Sequence, residues 1–508
     1  MTADRDFELS EMTIPELQAG MESGQFTAAE LVEKYLGRIE SLDARGPELR
    51  AVIEVNSEAS TIAKGLDAER RSGAVRGPLH GIPLLVKDNM DTADTMSTTA
   101  GSTALNGWRA PHDAEVVTKL RTAGVIVLGK TNLTEWSNFR SQRSVSGWSA
   151  RGGQCRNPYS LDRTAWGSSA GSAVAVSANY APGALGSETD GSIVVPAMAC
   201  ALVGIKPTVG LTSRRGVIPI SSSQDTIGPL ARTVEDAAII LSAIVDADRA
   251  GARTQYDTGL TLDGLRGARI GLPRHKFFGY SRVLDRLTED AVSVMKSLGA
   301  TVIDPADIPT ADELSFLGTE LTVMLYEFKA GINDYLRGVD VSSGVKSLAD
   351  LILYNEQHAD LEMQFFGQDL FEMAESKGGL DEAEYLAALA QSHSASRERG
   401  IDAALNRHHL DALVMPTATI PSKIDQVNGD HITGVGSTPA AQAGYPEVNV
   451  PIGYVGGVPA GLIFVGTAGS ERKLIRIAYA FEQATKHRRP PRFMAGALPD
   501  VPSGLLRS

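Results

Sequence analysis

Lys87, Ser168 and Ser192 are the residues of this chain whose types and settings could do chemistry. Lys87 ends the run His80-Gly81-Ile82-Pro83-Leu84-Leu85-Val86-Lys87, whose apolar part reads as a short buried strand with an ammonium group at its tip. Burial disfavours the charged form of lysine, so such a group moves toward a neutral amine that can take a proton from a hydroxyl near neutral pH. Two Gly/Ser-rich turns supply hydroxyls. Gly167-Ser168-Ser169-Ala170-Gly171-Ser172 leads into Val174-Ala175-Val176, and Gly186-Ser187-Glu188-Thr189-Asp190-Gly191-Ser192 leads into Ile193-Val194-Val195. Glycine lets backbone N–H groups crowd round a reacting carbonyl, so Thr189, Asp190, Gly191 and Ser192 form a candidate oxyanion hole with Ser192 as nucleophile. A serine nucleophile, a desolvated lysine and an oxyanion turn are the equipment of an amide-cleaving enzyme.

Two other nucleophiles compete. Gly167-Ser168-Ser169-Ala170-Gly171 fits the G-x-S-x-G elbow, which would make Ser169 the nucleophile of an α/β-hydrolase-type esterase served by His408, His409 or His431. That elbow needs a buried strand just before it, and Asn157 to Thr164 is polar and turn-like. Cys155 lies in the turn region before Ser168 and is a third candidate. A plain Gly/Ser linker is a poor reading of these turns, because Ala, Val and Trp are interleaved with them and apolar runs follow.

With these residues in view the chain resembles the amidase signature family, and within it the bacterial peptide amidases. The likeness runs from about Leu79 to Arg232 and includes Gly147-Trp148-Ser149-Ala150-Arg151-Gly152-Gly153-Gln154, Gly204-Ile205-Lys206-Pro207 and Gln224-Asp225-Thr226-Ile227-Gly228-Pro229. It resumes more weakly at Leu410 to Thr417 and at Gly457 to Leu462, and the two serines keep the family spacing of 24 residues. The resemblance implies an α/β fold with a large mixed β-sheet surrounded by helices. It also implies a Ser-Ser-Lys relay, with Ser192 acylated, Ser168 bridging and Lys87 as base, a cis bond between Gly167 and Ser168, and no cofactor or metal. The implied substrate is a small-molecule or short-peptide amide: a C-terminal peptide amide that releases ammonia, or on the same site an aryl acylamide or a carbamate. An ammonia-transferring amidotransferase component is the remaining option and would need partner subunits. Two positions depart from the commonest pattern: Asp190 stands where many members carry glycine, and Val194 where many carry arginine.

Composition narrows the class. The chain has 508 residues and a formal net charge of −13, which argues against a general binder of nucleic acid or of an anionic membrane. H-E-x-x-H, the P-loop and a strand-linked G-x-G-x-x-G are absent, and two cysteines make neither a metal cluster nor a disulfide framework. Met1 to Glu8 has no basic-then-apolar leader, and the longest apolar runs, such as Ala237 to Val245, are too short to cross a bilayer. A cytoplasmic enzyme is the expectation; oligomeric state stays open.

The elements that must hold these residues follow a helix–strand–loop alternation. Thr27-Ala28-Ala29-Glu30 is a capping box opening a helix, Asp113 to Ala123 reads as an amphipathic helix, and Val125 to Leu128 as a strand with a loop from Gly129. Such alternation fits layered α/β packing. From Arg274 to about Arg407 the pattern turns helical, so the expected architecture is one domain over 1–508 with a variable helical cap at about 274–407.

Overall fold

A computed structural model describes residues 7–246 and 255–496. Residues 1–6, part of the segment searched for a leader, lie outside the described residues. The strands in chain order are β1 (Val52–Val55), β2 (Pro83–Lys87), β3 (Ile126–Thr131), β4 (Trp148–Ser149), β5 (Gly153–Gln154), β6 (Gly183–Glu188) and β7 (Val203–Lys206). They continue with β8 (Thr226–Ala231), β9 (Arg269–Gly271), β10 (Thr301–Ile303), β11 (Ala412–Pro416), β12 (Glu447–Val455) and β13 (Val458–Val465). Eleven of them form one sheet in the order β1-β3-β2-β6-β8-β7-β12-β13-β11-β9-β10, and β4-β5 pair separately. The pairs β2–β3, β2–β6, β9–β10 and β9–β11 are parallel and the rest antiparallel, so the expected large mixed sheet is present.

Local chemistry accounts for the elements nearest the candidate residues. Every residue of β2 is buried, as befits a parallel strand covered on both faces. Helix Ala170–Ser177 is built from small residues, all buried. A Cβ at Gly171 would run into the carbonyl oxygens of Asn132 and Ala51, so the helix lies directly against the sheet because its side chains are small. This is why a Gly/Ser-rich sequence is core and not linker. Thr27 and Glu30 form the expected capping box at the start of helix Ala28–Leu42.

Two expectations change. β3 runs on through Gly129, Lys130 and Thr131, where the glycine had pointed to a loop. A side chain at Gly129 would meet the Glu54 carbonyl of β1, and Lys130 is buried with its ammonium donating to the Met90 carbonyl (2.6 Å) and the Thr98 hydroxyl (2.8 Å). The helical stretch expected at about 274–407 is also not uniform. Helix Arg282–Ser297 packs on β11 and β12, and β10 closes one edge of the sheet. The helices that form a separate layer are Leu321–Arg337, Leu348–Gln357, Asp369–Glu375 and Ala383–Ser396. Phe328, Leu336, Leu351 and Phe371 of this layer share a second apolar core with Trp136, Phe139, Ile218 and Ile220. The layer therefore sits on the loops that border the candidate residues.

Candidate active site

The geometry starts from two neighbouring parallel strands. Leu85 of β2 is in register with Ala184 of β6, and Val86 with Leu185, so Lys87 emerges beside Ser187 at the C-terminal ends of both strands. Ligand sites of parallel sheets gather at such ends. The Lys87 side chain is fully buried. Its Nζ lies 2.7 Å from Ser168 Oγ, 3.0 Å from Ser187 Oγ and 3.3 Å from the Ser187 carbonyl oxygen. Asn89, two residues along from Lys87, donates from Nδ2 to the same Ser187 hydroxyl (2.9 Å). Burial lowers the Lys87 pKa from 10.5 to about 7, against the opposing pull of the Asp225 and Glu188 carboxylates.

Ser168 sits in the turn before helix Ala170–Ser177, almost fully buried, and the Gly167–Ser168 peptide bond is cis, as the resemblance implies. Gly167 has no room for a side chain, since a Cβ there would overlap Thr134 Oγ1. Ser192 lies on the second turn, and its carbonyl accepts from Ser169 N (3.2 Å), which ties the two turns together. Among the described residues no hydrogen bond engages the Ser192 hydroxyl, and Ser192 is 8% exposed, so its Oγ is near-buried but uncommitted.

The turn between β6 and helix Val194–Ala199 presents backbone donors. Gly191 is left-handed (φ 78°), and a Cβ there would come 3.0 Å from both Ser437 Oγ and Val195 Cγ2, so any side chain at this position is strained and crowds its neighbours. Glu188 Oε2 accepts from Ile193 N (2.5 Å) and Val194 N (3.0 Å). Among the described residues the N–H groups of Thr189, Asp190, Gly191 and Ser192 have no acceptor. Four consecutive free donors beside an uncommitted serine hydroxyl make a concave anion-binding curve of the kind that holds an oxyanion. Asp190 does not spoil it. Its carboxylate turns away and accepts from Ser437 Oγ (2.5 Å) and Thr438 Oγ1 (2.8 Å). Val194 is buried, and its N–H goes to Glu188.

The competing nucleophiles are placed elsewhere. The Ser169 hydroxyl is fully buried and donates to the Ser187 carbonyl (3.1 Å), and Asn157 to Thr164 forms turns and not a strand. Burial pushes the Cys155 thiol well above its ordinary pKa, which keeps it protonated in the core. His409 and His431 are exposed, and neither makes a hydrogen bond to either serine turn. Ser187, Asn89 and Asp225 were not singled out in the sequence as site residues. Asn89 stands in the turn that follows β2, where strand alternation gives no signal for it. Asp225 accepts from Thr189 Oγ1 (2.6 Å), Ile220 N (2.8 Å) and Ser221 N (2.9 Å), and so fastens one end of the turn to the segment from Ile218 to Asp225.

Known proteins match this chain over nearly its whole length. The amidase family profile matches residues 30–475. A "probable amidase" of Arabidopsis thaliana is 43% identical over 506 residues, covering 96% of this chain and 93% of that protein. The native peptide amidase from Stenotrophomonas maltophilia is 48% identical with a TM-score of 0.91, covering 96% of this chain and 99% of that one. A glutamyl-tRNA(Gln) amidotransferase component of Symbiobacterium thermophilum is 34% identical, covering 92% of this chain and 95% of that protein. A lysine at the end of β2 faces a serine turn, a second serine stands beside free backbone donors, and the matching profile spans both: the chain belongs to the amidase family and is an amide-hydrolysing enzyme.

Proposed function

We propose that the chain cleaves carboxamides through a relay from Ser192 to Ser168 to Lys87, and that its substrates are C-terminal amides of short peptides. The observation that carries the relay is the set of partners round Lys87 Nζ. A neutral amine has two N–H donors and one lone pair. The donors go to the hydroxyl and carbonyl of Ser187, which leaves the lone pair to accept the Ser168 O–H. Ser168 Oγ is then free to take the proton of Ser192 as Ser192 Oγ attacks the amide carbon.

The tetrahedral oxyanion collects the N–H groups of the Asp190–Ser192 turn. The Lys87 ammonium returns its proton through Ser168 to the amide nitrogen, the C–N bond breaks, and ammonia leaves an acyl ester on Ser192. Water, deprotonated by the same relay, adds to that ester, and the acid departs with the Ser192 hydroxyl restored. One water is consumed for each ammonia released. In this reading the described chain is one catalytic unit, and the helices from Leu321 to Ser396 bound the cleft.

The assignment to peptide amides rests on the likeness to the Stenotrophomonas maltophilia peptide amidase. Aryl acylamides and carbamates are the runner-up substrates. The likeness to an amidotransferase component supplies a second reading, in which ammonia passes to a partner. Turnover of the isolated chain on peptide amides, anilides, esters and urethanes separates these. Ammonia from peptide amides, with internal peptide bonds intact, is the expected result. Cleavage of anilides or urethanes alone would remove the substrate assignment, and ammonia release that requires added partner proteins would favour the amidotransferase.

A further inference from the structure

Behind the free donors of the catalytic turn lies a second carboxyl. Glu320 directly precedes helix Leu321–Arg337, 130 residues along the chain from Asp190, and is fully buried. Thr438 and Gln442 of one helix, Thr438–Ala443, reach Asp190 and Glu320 respectively, which brings the two carboxyls into one buried pocket within hydrogen-bonding reach of each other. Among the described residues every other hydrogen bond of the pair brings a donor: Ser437 and Thr438 give hydroxyls to Asp190, while Gln224 Nε2 (2.9 Å) and Gln442 Nε2 (3.1 Å) give to the two oxygens of Glu320. Gln224 also donates to the Thr189 carbonyl (3.3 Å), and Gln442 is itself fixed by Ser392 Oγ (3.0 Å). Two carboxylates held this close in a fully buried pocket repel too strongly for both to be ionised, so one proton lies between them.

We infer that Glu320 is a positioning residue for the oxyanion turn, and that it holds one proton against Asp190 so that the turn's N–H groups stay aimed at the reacting carbonyl. The inference rests on the reading of the Asp190–Ser192 turn as the oxyanion hole. A neutral Glu320 bound to an ionised Asp190 pins the turn from behind, against the helical layer. Loss of that proton sets two like charges side by side behind the hole, which repels the turn and opposes the oxyanion. Burial is the main cause that raises both carboxyl pKa values, that of Glu320 well above its ordinary value. The ionisable groups facing the pair are Lys206 on β7, Glu188 at the end of β6 and Glu447 on β12, all fully buried or nearly so. Glu327, on the same helix as Leu321, is turned to Ser221, Ser223 and Tyr385, and Asp225 to Thr189. Helix Thr438–Ala443 offers only Thr438 and Gln442, and helix Ala383–Ser396 offers Ser392 through Gln442.

The test compares wild type, Glu320→Gln and Glu320→Ala in full-length protein, with an N-acetyl dipeptide amide and 4-nitrophenyl acetate as probes. Wild-type kcat/KM should fall on the alkaline side as the shared proton leaves. Glu320→Gln keeps a donor toward Asp190 at every pH, so it should lose that alkaline fall and stay within about threefold of wild type near neutrality. Glu320→Ala should lose kcat by about 100-fold with KM little changed, the mark of a hole that is present but misaligned. An alkaline limb identical in Glu320→Gln and wild type, or full kcat in Glu320→Ala, overturns the inference; if Glu320→Ala does not fold, the Glu320→Gln limb decides. An infrared difference spectrum at neutral pH is independent of turnover. Glu320→Gln should remove the band of a protonated carboxylic acid, and loss of carboxylate bands instead overturns the inference. That spectrum also separates this inference from the substrate reading, since a protein inactive on both probes but showing the acid band would contradict only the proposed function.

Discussion

In the proposed relay Lys87 sets the pH at which the enzyme can work. Burial brings its pKa to about 7, so the base is mostly protonated and idle below that pH. With chemistry limiting, kcat/KM should fall about tenfold per pH unit on the acid side of this midpoint. The Asp225 carboxylate favours the Lys87 ammonium, so Asp225→Asn should move the midpoint to lower pH, even as the lost Thr189 anchor lowers the rate. A pH–rate profile of both proteins checks this; an upward shift, or a rate flat from acid to neutral pH, would speak against Lys87 as base. Lys87, Ser168 and Ser192 were legible as candidates because each stands in a run with its own pattern. Ser187 was not, because a serine that accepts from a lysine through both its carbonyl and its hydroxyl looks in sequence like any other turn serine.

At the scale of elements, the site depends on two turns held against β6 by absent side chains. Gly186 is one such point, since a Cβ there would lie 2.8 Å from Ser169 Oγ. Gly191 is the sharper test. Gly191→Ala must take a left-handed conformation at a cost of about 1–2 kcal/mol and press on Ser437 and Val195, among the free donors of the turn. The variant should fold, melt a few degrees lower, and lose about 100-fold or more in kcat. Wild-type turnover in Gly191→Ala would remove the oxyanion role from this turn. The long elements were readable from periodicity and caps, as with Thr27 and Glu30. β9 and β10 were not. They are three residues each, too short for any alternation to register, and β10 is partly exposed at the sheet edge. The stretch from about residue 274 reads as mainly helical, and helix Arg282–Ser297 carries that amphipathic pattern while packing on the sheet.

Over the whole molecule, the net charge of −13 coexists with carboxyls buried deep inside. Burial raises Glu482 from 4.5 to about 8, and Asp43, Asp91 and Asp236 from 3.8 to about 6. A group whose folded pKa lies above its unfolded one contributes stability that is complete below the unfolded value and is lost as pH rises through the folded value. For these four groups the window runs from about 4 to about 8. Lys87 acts in the opposite sense, but only above its folded value of about 7. The melting temperature should therefore decline between mildly acidic pH and about 8, which a thermal melt at several pH values measures; a steady rise across that window would contradict it. No helix among the described residues is long and apolar enough to cross a membrane.

The claim most open to direct test is that Ser192 forms the acyl-enzyme. Full-length protein is mixed with an activated ester of a short N-acetyl peptide, quenched in acid within the first turnover and digested with trypsin. Because Pro207 protects the bond after Lys206, the expected fragment runs from Thr164 to Arg214 and contains Ser168, Ser169 and Ser192. Fragmentation in the mass spectrometer locates the added acyl group among them. The acyl group is predicted on Ser192 in wild type, and on no serine of this fragment in Ser192→Ala. An acyl group on Ser169 or Ser168, or an unlabelled fragment from a protein that turns the ester over, would contradict the relay.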